Sequence, residues 1–216
     1  MEIHHTADWH LGQTFYEDER REEHFHFLEW LKQQIRQHEI DVLLIAGDVF
    51  DSPNPSAESQ RVYYRFLREV TSENPSLQIV IIAGNHDSAA RLEAPNPLLE
   101  DMNIIVRGTV RRNAEGDIDL QHPIVPLYTE GKVTAYCLAV PYLRQGDYPS
   151  AENYSKGVQQ LYEQLFNKVK EKGIPVVAMG HLQATGSEIS EAARSERTVI
   201  GGLACVSPDA FNAALP

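Results

Sequence analysis

Asp41-Val42-Leu43-Leu44-Ile45-Ala46-Gly47-Asp48-Val49-Phe50-Asp51 is the stretch that decides the fold of this chain. Val42 to Ala46 is an unbroken apolar run, the pattern of a strand buried on both faces, as in parallel sheets covered by helices. It stops at Gly47-Asp48, which is turn chemistry. On the N-terminal side, Glu2 to Ala7 reads as a short strand. A helix from about Asp18 to His38 follows, with Phe25, Leu28, Leu31 and Ile35 at steps of three or four. On the C-terminal side, Pro53 and Pro55 break the chain, and Ser56 caps a second helix that Asn74-Pro75 ends after Glu73. Leu77 to Ala83 is another buried strand, halted by Gly84. The order β-α-β-α-β, with helices long enough to cross over, predicts a parallel sheet. Polar residues follow each strand: Asp8-Trp9-His10, Gly47-Asp48 and Gly84-Asn85-His86-Asp87. Sites in open α/β sheets form outside the carboxyl ends of the strands.

Beyond this unit, Ile104 to Tyr142 holds short β-like runs between turns and reads as antiparallel strands of a second sheet. A helix is expected from about Ser155 to Lys172, stopped by Gly173, then a strand from Pro175 to Met179 that ends in Gly180-His181. Thr185 to Arg197 reads as a loop and Thr198 to Ile200 as one more strand.

Composition narrows the function. The 216 residues are 42% hydrophobic and 23% charged, which is ordinary for a globular protein. The net charge of −12 argues against a domain held on nucleic acid by its own basic surface. It leaves a phosphate substrate open if bound cations reverse the local field. Two cysteines, Cys137 and Cys205, make neither a disulfide scaffold nor a thiolate zinc site. No apolar run approaches the ~20 residues of a membrane span, and the N-terminus shows no secretory signal. A cytoplasmic location without membrane contact is the expectation.

The strand ends carry the chemistry. In order they deliver Asp8 and His10, then Asp48, then Asn85 and His86, then His181. Carboxylate, imidazole and amide oxygen are the ligands of divalent metals such as Mn, Fe, Zn or Co. A carboxylate that bridges two cations sets the spacing of two-metal hydrolytic sites, where a water is activated and phosphoryl charge is neutralised.

His5-Thr6-Ala7-Asp8-Trp9-His10-Leu11-Gly12, Gly47-Asp48-Val49-Phe50-Asp51 and Gly84-Asn85-His86-Asp87 resemble the calcineurin-like metallophosphoesterases. Asp51-Ser52-Pro53-Asn54-Pro55-Ser56, and Ser88 with Arg91-Leu92, are similar to one branch, the SbcD-type nuclease subunits and their double-strand-break repair relatives. The likeness is close over residues 1 to 106, looser in the middle, and returns at Val176 to His181 and Ile200 to Phe211. It implies an α/β fold, a four-layer α/β/β/α sandwich of two mixed sheets. It implies two metal ions, Mn2+ above all, with Asp8 and His10 on the first, Asp48 bridging, and Asn85 and His181 on the second. His86 would face the scissile phosphate, and Asp51 is the candidate to orient His86 through its carboxylate. The implied activity is exonuclease on double-stranded DNA ends and endonuclease on hairpins, in DNA repair and recombination. The implied partners are an SbcC-type coiled-coil ATPase and a second copy of the chain, a homodimer within a heterotetramer associated with the nucleoid. The family completes its metal shell with a His-x-His motif downstream, and no histidine follows His181 here. The expectation is a nuclease domain spanning 1–216 and cut before its last metal-binding motif, without cap or partner-binding regions. Two other readings use the same ligands: a metallophosphatase or nucleotide phosphodiesterase, and an inactive fragment that only dimerises or binds the ATPase.

Weaker signals have structural readings beside functional ones. Arg61, Arg65 and Arg68 share a helical face, a phosphate track or a solvated surface. Arg107, Arg111 and Arg112 fit DNA contact or edge-strand charge equally.

Overall fold

The computed structural model describes residues 1–16, 18–184, 205–207 and 211. Its elements run β1 (Ile3–Thr6), β2 (Thr14–Phe15), β3 (Asp18–Glu19), α1 (Arg21–Gln37), β4 (Val42–Ala46), α2 (Ala57–Glu73), β5 (Gln78–Ile82), α3 (Ala89–Glu93), α4 (Asn96–Leu99), β6 (Ile104–Arg107), β7 (Ile124–Thr129), β8 (Lys132–Ala139), α5 (Tyr154–Val169) and β9 (Val176–Met179). The larger sheet has the order β1-β4-β5-β6, all parallel. The smaller has the order β7-β8-β9, antiparallel then parallel.

Period-two burial sorts the strands into layers. Leu43, Ile45, Ile79 and Ile81 turn to one side and pack with Leu28, Leu31 and Ile35 of α1 and Val62, Phe66 and Val70 of α2. Val42, Leu44, Ala46, Val80 and Ile82 turn to the other and meet Val125, Leu127, Ala135, Cys137 and Ala139 of the second sheet. The outer face of that sheet, with Leu138, packs on Val158, Leu161 and Leu165 of α5. The result is helix, sheet, sheet, helix. Each Val, Leu, Ile or Phe side chain so buried contributes about 1.5–3 kcal/mol relative to exposure. Gln78 ties the sheets directly, its amide donating to the Pro126 carbonyl at 2.9 Å and accepting from the Tyr128 N–H at 3.0 Å.

Three expectations change. Ile104–Arg107 is not part of the second sheet; it pairs parallel with β5 in the first. The intervening segment folds as the short helices α3 and α4, which makes the crossover a parallel neighbour needs. The larger sheet is therefore wholly parallel among its described strands, and only the smaller is mixed. The first helix begins at Arg21 rather than Asp18, because Asp18–Glu19 pairs antiparallel with Thr14–Phe15 as the small β2-β3 ribbon. The second and third long helices begin as their caps direct. Ser56 Oγ accepts the Ser59 N–H at 3.0 Å, and Asn153 Oδ1 accepts that of Lys156 at 2.9 Å. Gly173, at φ 67°, ends the short 3-10 turn that follows α5. The loop and strand expected over Thr185 to Ile200 lie outside the described residues.

Candidate metal centre

The parallel sheet brings the ends of β1, β4 and β5 to one edge, and β9 of the second sheet ends beside them. Backbone hydrogen bonds lace the loops together. Asp8 N–H donates to Gly47 O at 3.1 Å, His10 N–H to Asp48 O at 2.9 Å and Leu11 N–H to Val49 O at 3.0 Å. Asp8, His10 and Asp48 all sit in the left-handed region, at φ 57°, 46° and 49°. That conformation is costly for residues with a Cβ and clusters at functional sites. Two glycines make room: a Cβ at Gly47 would collide with the His181 ring, and one at Gly84 with the Asp48 carboxylate.

One carboxylate holds these loops without joining the centre. Asp87, 3% exposed, accepts the N–H groups of Gly84, Phe50 and Val49 at 2.9, 3.0 and 3.2 Å. Burial pushes its carboxyl up, against the pull of those three donors. In the sequence Asp87 is only the last residue of a motif, with no role of its own. The signal lies in its position, an acidic residue inside a glycine-bounded turn after an apolar strand.

The expected ligands converge. Asp48, buried at 3%, takes the His86 backbone N–H on Oδ1 at 2.9 Å. Its Oδ2 lies 3.5 Å from His181 Nε2 and 3.7 Å from His10 Nε2, long for hydrogen bonds. His10 Nε2 is 3.9 Å from Asp8 Oδ1. His181 Nδ1 meets the Ala46 carbonyl at 2.8 Å across the two sheets, so that nitrogen donates and Nε2 points inward. There it faces Asn85 Oδ1 at 2.9 Å. Ligand atoms of Asp8, Asp48 and His181 lie within 4.8 Å of one another, and so do those of His10, Asp51 and His86.

Divalent cations fit this donor set. Asp48 Oδ2, Asn85 Oδ1 and the inward nitrogen of His181 are all electron-pair donors aimed at one another. Such an array needs a positive charge between its members, either a proton or a cation. His10 Nδ1 supports the same conclusion: it is buried without a hydrogen bond, although Asp51 Oδ1 stands 3.2 Å away. The titration of the pair agrees. Burial lowers His181, but the Asp48 carboxylate, the Ala46 carbonyl and Asp8 raise it more, to about 9. Burial raises Asp48, yet the contact and charge of His181 and the His86 amide outweigh it and hold the carboxyl below its ordinary value.

Asp51 differs from expectation. Its peptide carbonyl, not its carboxylate, meets His86 Nδ1, at 2.9 Å. The carboxylate turns to His10 instead, because the loop after β4 runs alongside Leu11, as the Asp51 N–H to Leu11 O bond of 3.3 Å shows. His86 stands edge-on to His10 with ring centroids 4.9 Å apart. Four of the arginines flagged in the sequence are engaged elsewhere. Arg61 pairs with Glu58, Arg111 with Glu93, Arg107 bonds the His122 carbonyl at 2.6 Å, and Arg112 bonds the carbonyls of Gly116 and Gly146.

The family model described as calcineurin-like phosphoesterase matches residues 1–203. The chain belongs to that family. Among curated calcineurin-like relatives, the SbcD protein of the nuclease SbcCD from Rhodobacter capsulatus is 41% identical over 100% of this chain and 56% of its own length. Its namesake from Escherichia coli strain K12 is 31% identical over 90% of this chain and 49% of its own length. One from Bacillus subtilis is 28% identical over 99% and 54%. The chain thus spans about half the length of the curated relatives it matches. Family membership implies divalent metals, and the clustered donors are where this calcineurin-like chain would hold them. No described helix is long and apolar enough to cross a membrane.

Proposed function

We propose that this chain is the catalytic domain of a two-metal DNA nuclease, a phosphodiester hydrolase using Mn2+. The observation that carries the reading is the convergence of carboxylate, imidazole and amide donors from four strand ends around Asp48. Asp8 and His10 would hold one cation, Asn85 and His181 the other, with Asp48 shared by both. Cations so held supply Lewis acidity that activates water and offsets phosphoryl charge.

The chain's own residues do the rest. The Ala46 carbonyl fixes the His181 tautomer, leaving Nε2 free as a donor of its electron pair. The Asp51 carboxylate faces His10 Nδ1 at 3.2 Å. His86, held at Nδ1 by the Asp51 carbonyl, keeps Nε2 free to hold a proton opposite the leaving oxygen and deliver it as the P–O bond breaks. Imidazole is the side chain whose chemistry suits such a transfer near neutral pH. Asp87 takes no part in the proton path and keeps the loops in register.

The names of the relatives support a nuclease activity and a partner subunit in an SbcCD-type complex. In this reading the protein trims double-stranded ends and opens hairpins together with an SbcC-type coiled-coil ATPase, as a homodimer within a heterotetramer.

The test uses the full-length protein with a DNA hairpin beside bis(p-nitrophenyl) phosphate and a phosphomonoester, all in Mn2+. Both diesters are expected to be hydrolysed. Rapid monoester turnover with DNA untouched would replace the nuclease by a phosphatase. Asp48→Ala is expected to abolish hydrolysis. His86→Ala should keep the thermal response to Mn2+ and lose roughly 10²–10⁴-fold in rate. Equal loss of the metal response in both variants would overturn the role given to His86.

A further inference from the structure

The carboxyl end of β8 reaches the same rim as the metal centre, where it takes no part in holding the ions. There the chain runs Val140-Pro141-Tyr142-Leu143-Arg144. The Tyr142 N–H donates to Ala83 O at 2.8 Å, which pins it beside Gly84 and Asn85. Its ring lies 6.3 Å from that of His181, edge to face. The Arg144 guanidinium lies over the Tyr142 ring, 5.3 Å from the centroid. The turn beneath is closed twice, by Arg144 N–H to Asp147 Oδ2 at 2.8 Å and Asp147 N–H to Arg144 O at 3.0 Å.

Several arginines of the chain are neutralised by a neighbouring carboxylate: Arg20, Arg21, Arg36, Arg61 and Arg111 each pair with a glutamate. Arg144 is exposed and has no carboxylate partner among the described residues, in a chain of net charge −12. An exposed guanidinium resting over an aromatic ring has already lost part of its side-chain freedom and keeps donors for a ligand. Placed beside a centre that takes a phosphodiester, such a group is matched to a second phosphate.

We infer that Arg144, laid on Tyr142, binds the backbone phosphate next to the one hydrolysed, on the His181 side of the centre. The inference rests on the nuclease reading and adds a substrate contact that holds the strand without touching the reacting atoms. It makes Arg144 a binding residue for polynucleotides in particular, since a small aryl diester has no neighbouring phosphate.

The experiment measures binding of a fluorescein-labelled DNA hairpin in Mn2+ across a series of salt concentrations. The background is the slow-cutting His86→Ala full-length protein, alone and with Arg144→Ala or Arg144→Lys. Arg144→Ala should weaken binding about tenfold and lower the slope of log affinity against log salt by about 1, with an unchanged melting temperature. Arg144→Lys should restore the slope and only part of the affinity, because an ammonium lacks the planar fork. If Arg144→Ala itself lowers the melting temperature, Arg144→Gln keeps the stem on Tyr142 and takes its place. Affinity and slope both unchanged on loss of the charge, with the parent binding, would overturn the inference alone. A parent that fails to bind the hairpin at any salt would overturn the nuclease reading and this contact with it.

Discussion

At the scale of single residues, the centre depends on strain held down by one carboxylate. Asp8, His10 and Asp48 adopt left-handed backbone, which costs of order 1–3 kcal/mol each and persists only where surroundings over-determine it. Asp87 supplies much of that determination through its three backbone donors. Asp87→Ala should therefore orphan all three, at about 1–3 kcal/mol for each buried donor. Urea unfolding would read this as a lowered midpoint, and Mn2+ should no longer raise the melting temperature. A variant that loses metal response with full stability would show that Asp87 acts on the centre alone. The metal-directed residues were legible because each follows an apolar strand. Asp87, Tyr142 and Arg144 were not, for different reasons. The role of Asp87 lies in tertiary hydrogen bonds. The Tyr142 cluster follows a strand of the second sheet, as expected, but nothing in its residues showed that this strand ends at the rim of the first.

At the scale of elements, the long helices and the buried strands were readable from period and caps, and the short ones were not. α3 and α4 run five and four residues, too few for a helical period to show. β6 has the alternating burial of an edge strand, a pattern shared by parallel and antiparallel neighbours, so its sheet could not be told from sequence. What fixes α3 against the segment after β6 is Glu93. It accepts from Thr109 Oγ1 at 2.9 Å and Arg111 at 3.2 Å, with His122 Nε2 at 3.4 Å. Burial pushes the Glu93 carboxyl up, but His122, Thr109 and Arg111 pull it below its ordinary value. The folded chain therefore holds the ionised form better than the unfolded chain does. Its stabilisation is present above about pH 4.3 and is lost as pH falls through the lower folded value. Urea midpoints of wild type and Glu93→Gln should differ near pH 6, by about 1–3 kcal/mol, and converge toward about pH 3. Parallel curves over that range would deny the ion pair its role.

At the scale of the whole molecule, four layers place three ligand loops on one sheet and His181 on the other. A ligand bound only by the folded state must raise its stability. At a hundredfold excess of Mn2+ over its dissociation constant the gain is about 2.7 kcal/mol, or roughly 5–10 °C in melting temperature. Chelation should reverse it, as scanning calorimetry with added EDTA would show. No rise at saturating Mn2+ would remove the metal centre from the account.

The hydrogen bond from His181 to Ala46 spans the gap between the sheets, so the ligands draw on both, with the apolar layer around Cys137 packed between them. An ion held by Asp48 and His181 would tie the two sheets to each other. Amide exchange should slow at Ala139 and Met179, well inside the protein, when Mn2+ is added. Conversely, overfilling this layer with Cys137→Leu should push the sheets apart and weaken metal binding without altering any of the proposed ligands.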